Sequence, residues 1–279
     1  MTDTSHRYHD YHAEAAIFEG NLKLPFAQNI GSHTYSKLNE QGGYVTQHSQ
    51  NIRLGGAISF KSAHTHVAGN RSDKPDHGWT TLATAVIEGL NIMEIVTVDR
   101  IVAQISTDHP PEGYVPRVTF LGTRFENLRI AGNPINVEID CNVLGKKPDG
   151  DAPYTTHPHF IERVTGQYQR IQGCKNLPGD IGTRYNQLPS ATADRESVEC
   201  SLVNQVSGTF PGCSYGHVLD IPDFGKVSLA TLSVKHSDYE NGIPKVTTFH
   251  LKMLELKMGC VISGYGSGGD LITNGRTKP

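Results

Sequence analysis

The sequence predicts an all-β protein: an antiparallel meander that forms a barrel or a strongly coiled sandwich, with at most two short helices. Two observations lead there. Gly (29 residues) and Pro (15 residues) punctuate the chain throughout, and the segments between them alternate Val, Ile, Thr and Phe with polar residues, the period of a strand with one buried face. Stretches free of turn residues and long enough for an amphipathic helix are scarce.

Taken in order, residues 11–19, with Ala13, Ala15, Ala16, Ile17 and Phe18, read as a short capping helix or a mobile arm. Ile52, Leu54, Ile58 and Phe60 then occupy even positions and Arg53, Ser59 and Lys61 odd ones, which predicts a strand with its even side inward. Further strands are expected over 80–88, 91–106, 117–130 and 136–140, separated by turn signals at Glu88-Gly89, Pro110-Pro111 and Gly132-Asn133. A second short helix is expected over 160–171.

Pro116-Arg117-Val118-Thr119 recurs as Pro244-Lys245-Val246-Thr247, and Leu82-Ala83-Thr84 upstream of the first recurs as Leu229-Ala230-Thr231 upstream of the second. The echo suggests two related β units. In each copy the alternation slips by one residue, at Phe125 and at Met253-Leu254, as a β-bulge causes where a strand bends. The chain is accordingly divided into an N-terminal arm or helix (1–20), a first β unit (21–145), a linker with long irregular loops (146–197), a second β unit (198–263) and a Gly-rich C-terminal tail (264–279).

The 25 Lys+Arg against 28 Asp+Glu give a net charge of −3 without runs of like charge, so there is no electrostatic footprint for nucleic acid or an anionic membrane. No window reaches the roughly 18 consecutive apolar residues of a membrane span, and the N-terminal stretch lacks the basic-then-apolar pattern of a secretory leader. Five scattered cysteines without a CxxC pair point to reduced thiols in a cytoplasmic protein rather than to a disulfide framework or a sulfur-rich zinc site, with Cys200–Cys213 the one bridge worth weighing.

Chemistry is sought among the 14 histidines. His64-Thr65-His66 extends the strand carrying Ile58 and Phe60, so unbroken alternation would turn both imidazoles inward beside hydrocarbon. Two neighbouring imidazoles on a strand suit a divalent transition metal when a third ligand converges, and His77 follows closely enough to supply it. Without a metal, His64 and His66 would move protons while Asp76 sets a tautomer. The alternative metal set is His157, His159 and Glu162, around a proline that keeps the segment out of a central strand. The plainer reading of both groups is a solvated loop. Cys174 has no context that marks it as a nucleophile, and Gly264 to Gly269 reads as a flexible tail rather than a phosphate loop.

Two functions are expected from this reading. One is an enzyme or binding protein for a small apolar or aromatic molecule, working by histidine acid–base chemistry or by metal-assisted lyase, hydrolase or isomerase chemistry. The other is a non-catalytic structural or assembly protein that forms a homo-oligomer.

Overall fold

A computed structural model describes residues 7–24, 27–73, 77–186, 188, 196–259 and 262–278. In chain order the strands are β1 (Tyr8–Asp10), β2 (Ala13–Leu24), β3 (Gln28–His33), β4 (Ser36–Lys37), β5 (Gly43–Leu54), β6 (Ile58–Arg71), β7 (Trp79–Ile92), β8 (Val96–His109), β9 (Arg117–Thr119), β10 (Arg124–Glu126), β11 (Arg129–Ile130), β12 (Asn133–Pro134) and β13 (Asn136–Ile139). A 3-10 turn (Tyr154–Thr156) and two helices follow, α1 (Pro158–Gln172) and α2 (Gly179–Arg184). The chain then returns to strands: β14 (Ser197–Ser201), β15 (Val203–Ser207), β16 (Cys213–Tyr215), β17 (Val218–Ile221), β18 (Gly225–Glu240), β19 (Ile243–Gly259), β20 (Ser263–Thr273) and β21 (Arg276–Lys278).

The protein is mostly β and antiparallel, as expected. One sheet runs β16-β17-β18-β19-β20-β2-β3, and a second runs β12-β11-β8-β7-β6-β5. Among the described residues neither sheet closes into a barrel. β2 and β20 of the first sheet lie against β7 of the second, β2 also against β6, and β20 and β19 against β8. Ile17, Phe249, Leu251, Ile87, Ala103 and Ile105, all fully buried, belong to the single hydrophobic core. Each large apolar side chain removed from water there contributes roughly 1.5–3 kcal/mol.

The hairpin turns follow from local chemistry. Asn241 and Gly242, between β18 and β19, both have positive φ (51° and 78°), the type I′ geometry whose twist matches the flanking strands. Met93 and Glu94 turn β7 into β8 the same way, with φ of 53° and 58°. The turn expected at Glu88-Gly89 is therefore five residues early; β7 continues through it.

Gly89 does something else. On either side of it the register places Gly89 opposite Lys61 of β6 and Asp99 of β8, and those positions are skipped in the ladders. Asn51 of β5 falls opposite Lys61, and Asn127 falls opposite Asp99. Gly89 (φ 62°), Asn51 (φ 53°) and Asn127 (φ 53°) adopt left-handed backbone, so a row of kinks crosses the second sheet with no change of register. Each strand changes phase there: in β6 the buried positions are Ile58 and Phe60 before the row, then Ala63, Thr65 and Val67 after it. A matching row crosses the first sheet at Ala230 (φ 46°), Met253, Gly269 (φ 67°) and Ile17. The slip read at Met253-Leu254 is thus real, but the echo does not join equivalent positions. Ala230 lies on a kink row whereas Ala83 is regular strand, and Pro116 precedes a three-residue edge strand whereas Pro244 lies in a central one.

Two local expectations are corrected. Residues 13–24 form β2, not a helix, because Ala13 and Ala15 are buried at alternate positions and pair with Thr273 and Leu271 of β20. The Gly-rich tail is largely β20, a central strand between β19 and β2. Its glycines admit their neighbours: a Cβ on Gly266 would lie 2.8 Å from the Phe18 ring, and one on Gly264 only 2.3 Å from the Asn21 carbonyl. The helix expected over 160–171 is present as α1, starting at Pro158 in the first turn, where a missing N–H costs nothing. No helix among the described residues is long and apolar enough to cross a membrane.

Candidate functional site

The kink row in β6 decides where the first pair of histidines points. With the phase reversed after Phe60, His64 and His66 are half-buried on the outer face, while Ala63, Thr65 and Val67 take the core. The inward orientation expected of them is therefore incorrect. His64 lies opposite His48 of β5 and Val86 of β7, and the Nδ1 of His66 is 2.9 Å from the Thr46 hydroxyl. Burial first, then the neighbouring His66 and His48, lowers the pKa of His64. Asp76 lies outside the described residues. His77 stands apart near the far end of β8, its Nδ1 2.8 Å from Asp108, so it does not join His64 and His66. His157 caps α1 and its ring meets that of His159 edge-on at 6.5 Å, with Glu162 exposed one turn on. Among the described residues no three His, Cys, Asp or Glu side chains are grouped to hold a metal ion. Neither the His64, His66, His77 set nor the His157, His159, Glu162 set is assembled as a metal site. Cys200 is buried and Cys213 exposed, both with free thiols.

The strongly perturbed histidines are others. His9 and His109 are buried with ring centroids 4.4 Å apart, and His9 stacks on Trp79 at 5.4 Å. His9 Nδ1 reaches the Thr277 hydroxyl at 3.1 Å, His9 Nε2 has no partner among the described residues, and the His109 ring has no side-chain partner there and meets only the Gly275 backbone. Burial pushes His9 down to about 4 and His109 well below the usual histidine range. His236 is fully satisfied: its Nε2 accepts from the Tyr154 N–H at 2.9 Å, which leaves Nδ1 to donate to Thr247 at 3.0 Å. His217 contacts the Tyr185 hydroxyl through Nε2 at 2.9 Å, and burial, with the Arg184 charge, pushes it down to about 3.

Concave surface accessible to a ligand lies along α1. The helix buries Phe160, Val164, Tyr168 and Ile171, and the polar residues Arg163, Gly166, Gln167 and Arg170 recur at helical spacing on an adjoining stripe. Gln167 locks this face to the strands, donating to the Ser201 carbonyl at 2.8 Å and accepting from the Ser201 N–H at 3.0 Å. The result is a groove in two lobes, of about 600 and 430 Å³, that share Gln167, Arg170, Val203 and Asn204. One lobe is completed by Asp140, Val143 and Arg163, the other by Gln205, Ser214, Gly216 and His217.

Charge in this groove is unbalanced in a specific way. Arg163 is ion-paired with Asp140, whose other oxygen accepts from the Asn142 N–H at 2.9 Å. The guanidinium of Arg170, at the junction of the lobes, forms no hydrogen bond or ion pair among the described residues. Glu138 approaches the rim only through Asn204, at 3.5 Å. A free, permanently charged fork amid amides and a hydroxyl is suited to an oxyanion, which it can meet with two parallel hydrogen bonds.

Gly166 is the second indication. A glycine inside an α-helix destabilises it by about 1 kcal/mol relative to alanine. Here no protein atom requires it, because a Cβ at this position would meet nothing within 4 Å. The larger concavity on the outer face of the first sheet, about 790 Å³ beside Lys23, Lys252 and Lys257, differs on this point. Of its lining glycines, Gly20, Gly264 and Gly266 are required by packing, a Cβ on Gly20 lying 2.6 Å from the Tyr265 carbonyl, whereas Gly31 faces open space; its Lys257 and Glu255 are paired with Asp180 and Arg184.

The α1 face was legible in part, as an amphipathic segment following His159; the open space at Gly166 and the neutralisation of Asp140 were not, because both depend on distant partners. A family model described as "Domain of unknown function (DUF8256)" matches residues 9–235. No curated protein and no solved structure matches the chain.

Proposed function

We propose that this chain, which belongs to the DUF8256 family, is a binding protein whose groove along α1 holds a small molecule through a carboxylate or phosphate group, with Arg170 as the anchor. The observation that carries the reading is that, among the described residues, the Arg170 guanidinium at the junction of the two lobes has no ion pair and the only carboxylate lining them, Asp140, is neutralised by Arg163. Gln169, Asn204, Gln205 and Ser214 supply neutral hydrogen-bonding groups around it, and Val143, Val203 and Val206 supply apolar contact. The two sheets, read as a strongly coiled sandwich, serve as the rigid support.

Binding is favoured over acid–base catalysis by the state of the one imidazole at the groove. His217, held at about 3 by burial, is neutral across the working range and too weakly basic to accept a proton efficiently near pH 7. The test is a thermal-shift and calorimetric titration with inorganic phosphate and with citrate. The unsubstituted protein should be stabilised by at least one of them, as binding to the folded state requires, and Arg170→Gln should lose at least tenfold in affinity. Equal responses from the two proteins would exclude Arg170 as the anchor.

A further inference from the structure

β5 is the outermost strand of the second sheet. It pairs with β6 alone, and among the described residues no other backbone covers its free edge. Among the described residues it is also the longest open edge, because the first sheet ends on β16 (3 residues), β14 (5 residues) and β3 (6 residues), and the far side of the second ends on fragments of 2 or 3 residues. Proteins ordinarily guard such an edge with Lys, Pro, inward charges or bulges, since its unpaired N–H and C=O groups template a further strand. From Gly43 to Ile52 the strand has no Lys, Arg, Asp, Glu or Pro, and the first charge, Arg53, lies beyond the kink at Asn51.

We propose that this edge pairs with the same edge of a second copy, antiparallel about a two-fold axis through Gln47, so that the two second sheets join into one. The register follows from geometry. Left-handed backbone at Gly43 (φ 95°) and Asn51 (φ 53°) bounds the extended part to residues 44–50, whose midpoint is Gln47. Opposed residues share a face in an antiparallel pair, so the axis must pass through a residue rather than between two, and Gln47 satisfies this.

The chemistry of the pair is self-complementary. Tyr44, 78% exposed, comes opposite Gln50 of the second copy, and Thr46 comes opposite His48. A threonine facing a histidine on this same outer surface is already present within the sheet, where Thr46 meets His66 at 2.9 Å. With no charge in the paired segment, self-pairing brings no like charges together, which distinguishes a second copy from a charged foreign strand. The contact would span roughly 24 Å at ~3.4 Å per residue. His64 and His66, adjacent to β5 on that surface, then belong to the margin of an assembly interface.

Sedimentation equilibrium on the full chain tests this, with Gln47→Lys and Gln47→Glu as variants of an exposed side chain. The unsubstituted protein should be dimeric at micromolar concentration. Each variant alone should be monomeric, because its two new like charges face each other, and an equimolar mixture should recover the dimer. Circular dichroism and melting temperature close to those of the unsubstituted protein establish that both variants fold; Thr46→Pro, which blocks the edge without adding charge, serves in their place if they do not. A monomeric unsubstituted protein overturns the proposal. So do variants that dimerise unaltered, or a mixture that stays monomeric.

Discussion

The imidazoles of His9 and His109 meet between the two sheets, 4.4 Å apart at their centroids and almost completely removed from solvent. His9 is brought there by β1, which pairs with β21 as Tyr8 opposite Lys278 and His9 opposite Thr277, and His109 by the last residue of β8. The contact therefore fastens both chain ends to the second sheet. Gly275 is fitted to it, since a Cβ there would lie 2.3 Å from His9 Nε2.

The first prediction concerns acid. His9 falls from 6.5 in the unfolded chain to about 4 in the folded one, so between those values the unfolded state binds more protons and stability rises with pH. The stabilisation is complete above about pH 6.5 and is lost as pH falls toward 4, an effect of roughly 3 kcal/mol for His9. His109, His217 and His236 are lowered by burial too and act in the same direction. Urea denaturation at pH 7.0, 5.5 and 4.5 should show a steady loss, less steep in His9→Phe, which retains an aromatic ring against Trp79. A flat profile would show that these rings gain water on protonation without unfolding.

The second prediction separates stability from binding at one residue. Gly166→Ala should stabilise the fold by about 0.5–1 kcal/mol, because it supplies helix propensity and its Cβ enters open space. The same methyl group narrows the groove beside Arg170 and should weaken oxyanion binding severalfold. Melting temperature and calorimetric affinity would then move in opposite senses. Should both rise together, the groove beside Gly166 is not where the ligand sits.

The third prediction addresses the kink row. Gly89 holds φ 62° inside β7, a conformation that a β-branched residue reaches only under strain of about 1–3 kcal/mol. Gly89→Val should destabilise the protein by that amount in urea denaturation. A loss below about 0.5 kcal/mol, the scatter of neutral surface changes, would mean that the strand keeps one phase throughout.

These residues also mark how much was readable in advance. Alternation revealed the strands because side chains at i and i+2 share a face whatever the tertiary context, and the scarcity of turn residues over 160–171 revealed α1. Phase across β6 was not readable. It depends on Lys61 lying opposite two left-handed residues, Asn51 and Gly89, contributed by its two neighbouring strands. The misassigned His64 and His66 follow from that alone. Ala13 to Ala16 suggested a helix by propensity, and pairing with Asp270 to Thr273 of β20 overrode it. The candidate site was hidden for a similar reason, since whether Arg170 is free depends on Arg163 having taken Asp140.

The most direct test of the binding function is a ¹⁵N–¹H correlation spectrum of the protein titrated with phosphate and with citrate. The shifted amides should cluster at Arg170, Val203 to Gln205 and Ser214, and the response should vanish in Arg170→Gln. Shifts confined to the outer face near Lys23 and Lys252, or no shifts at millimolar ligand, would contradict it.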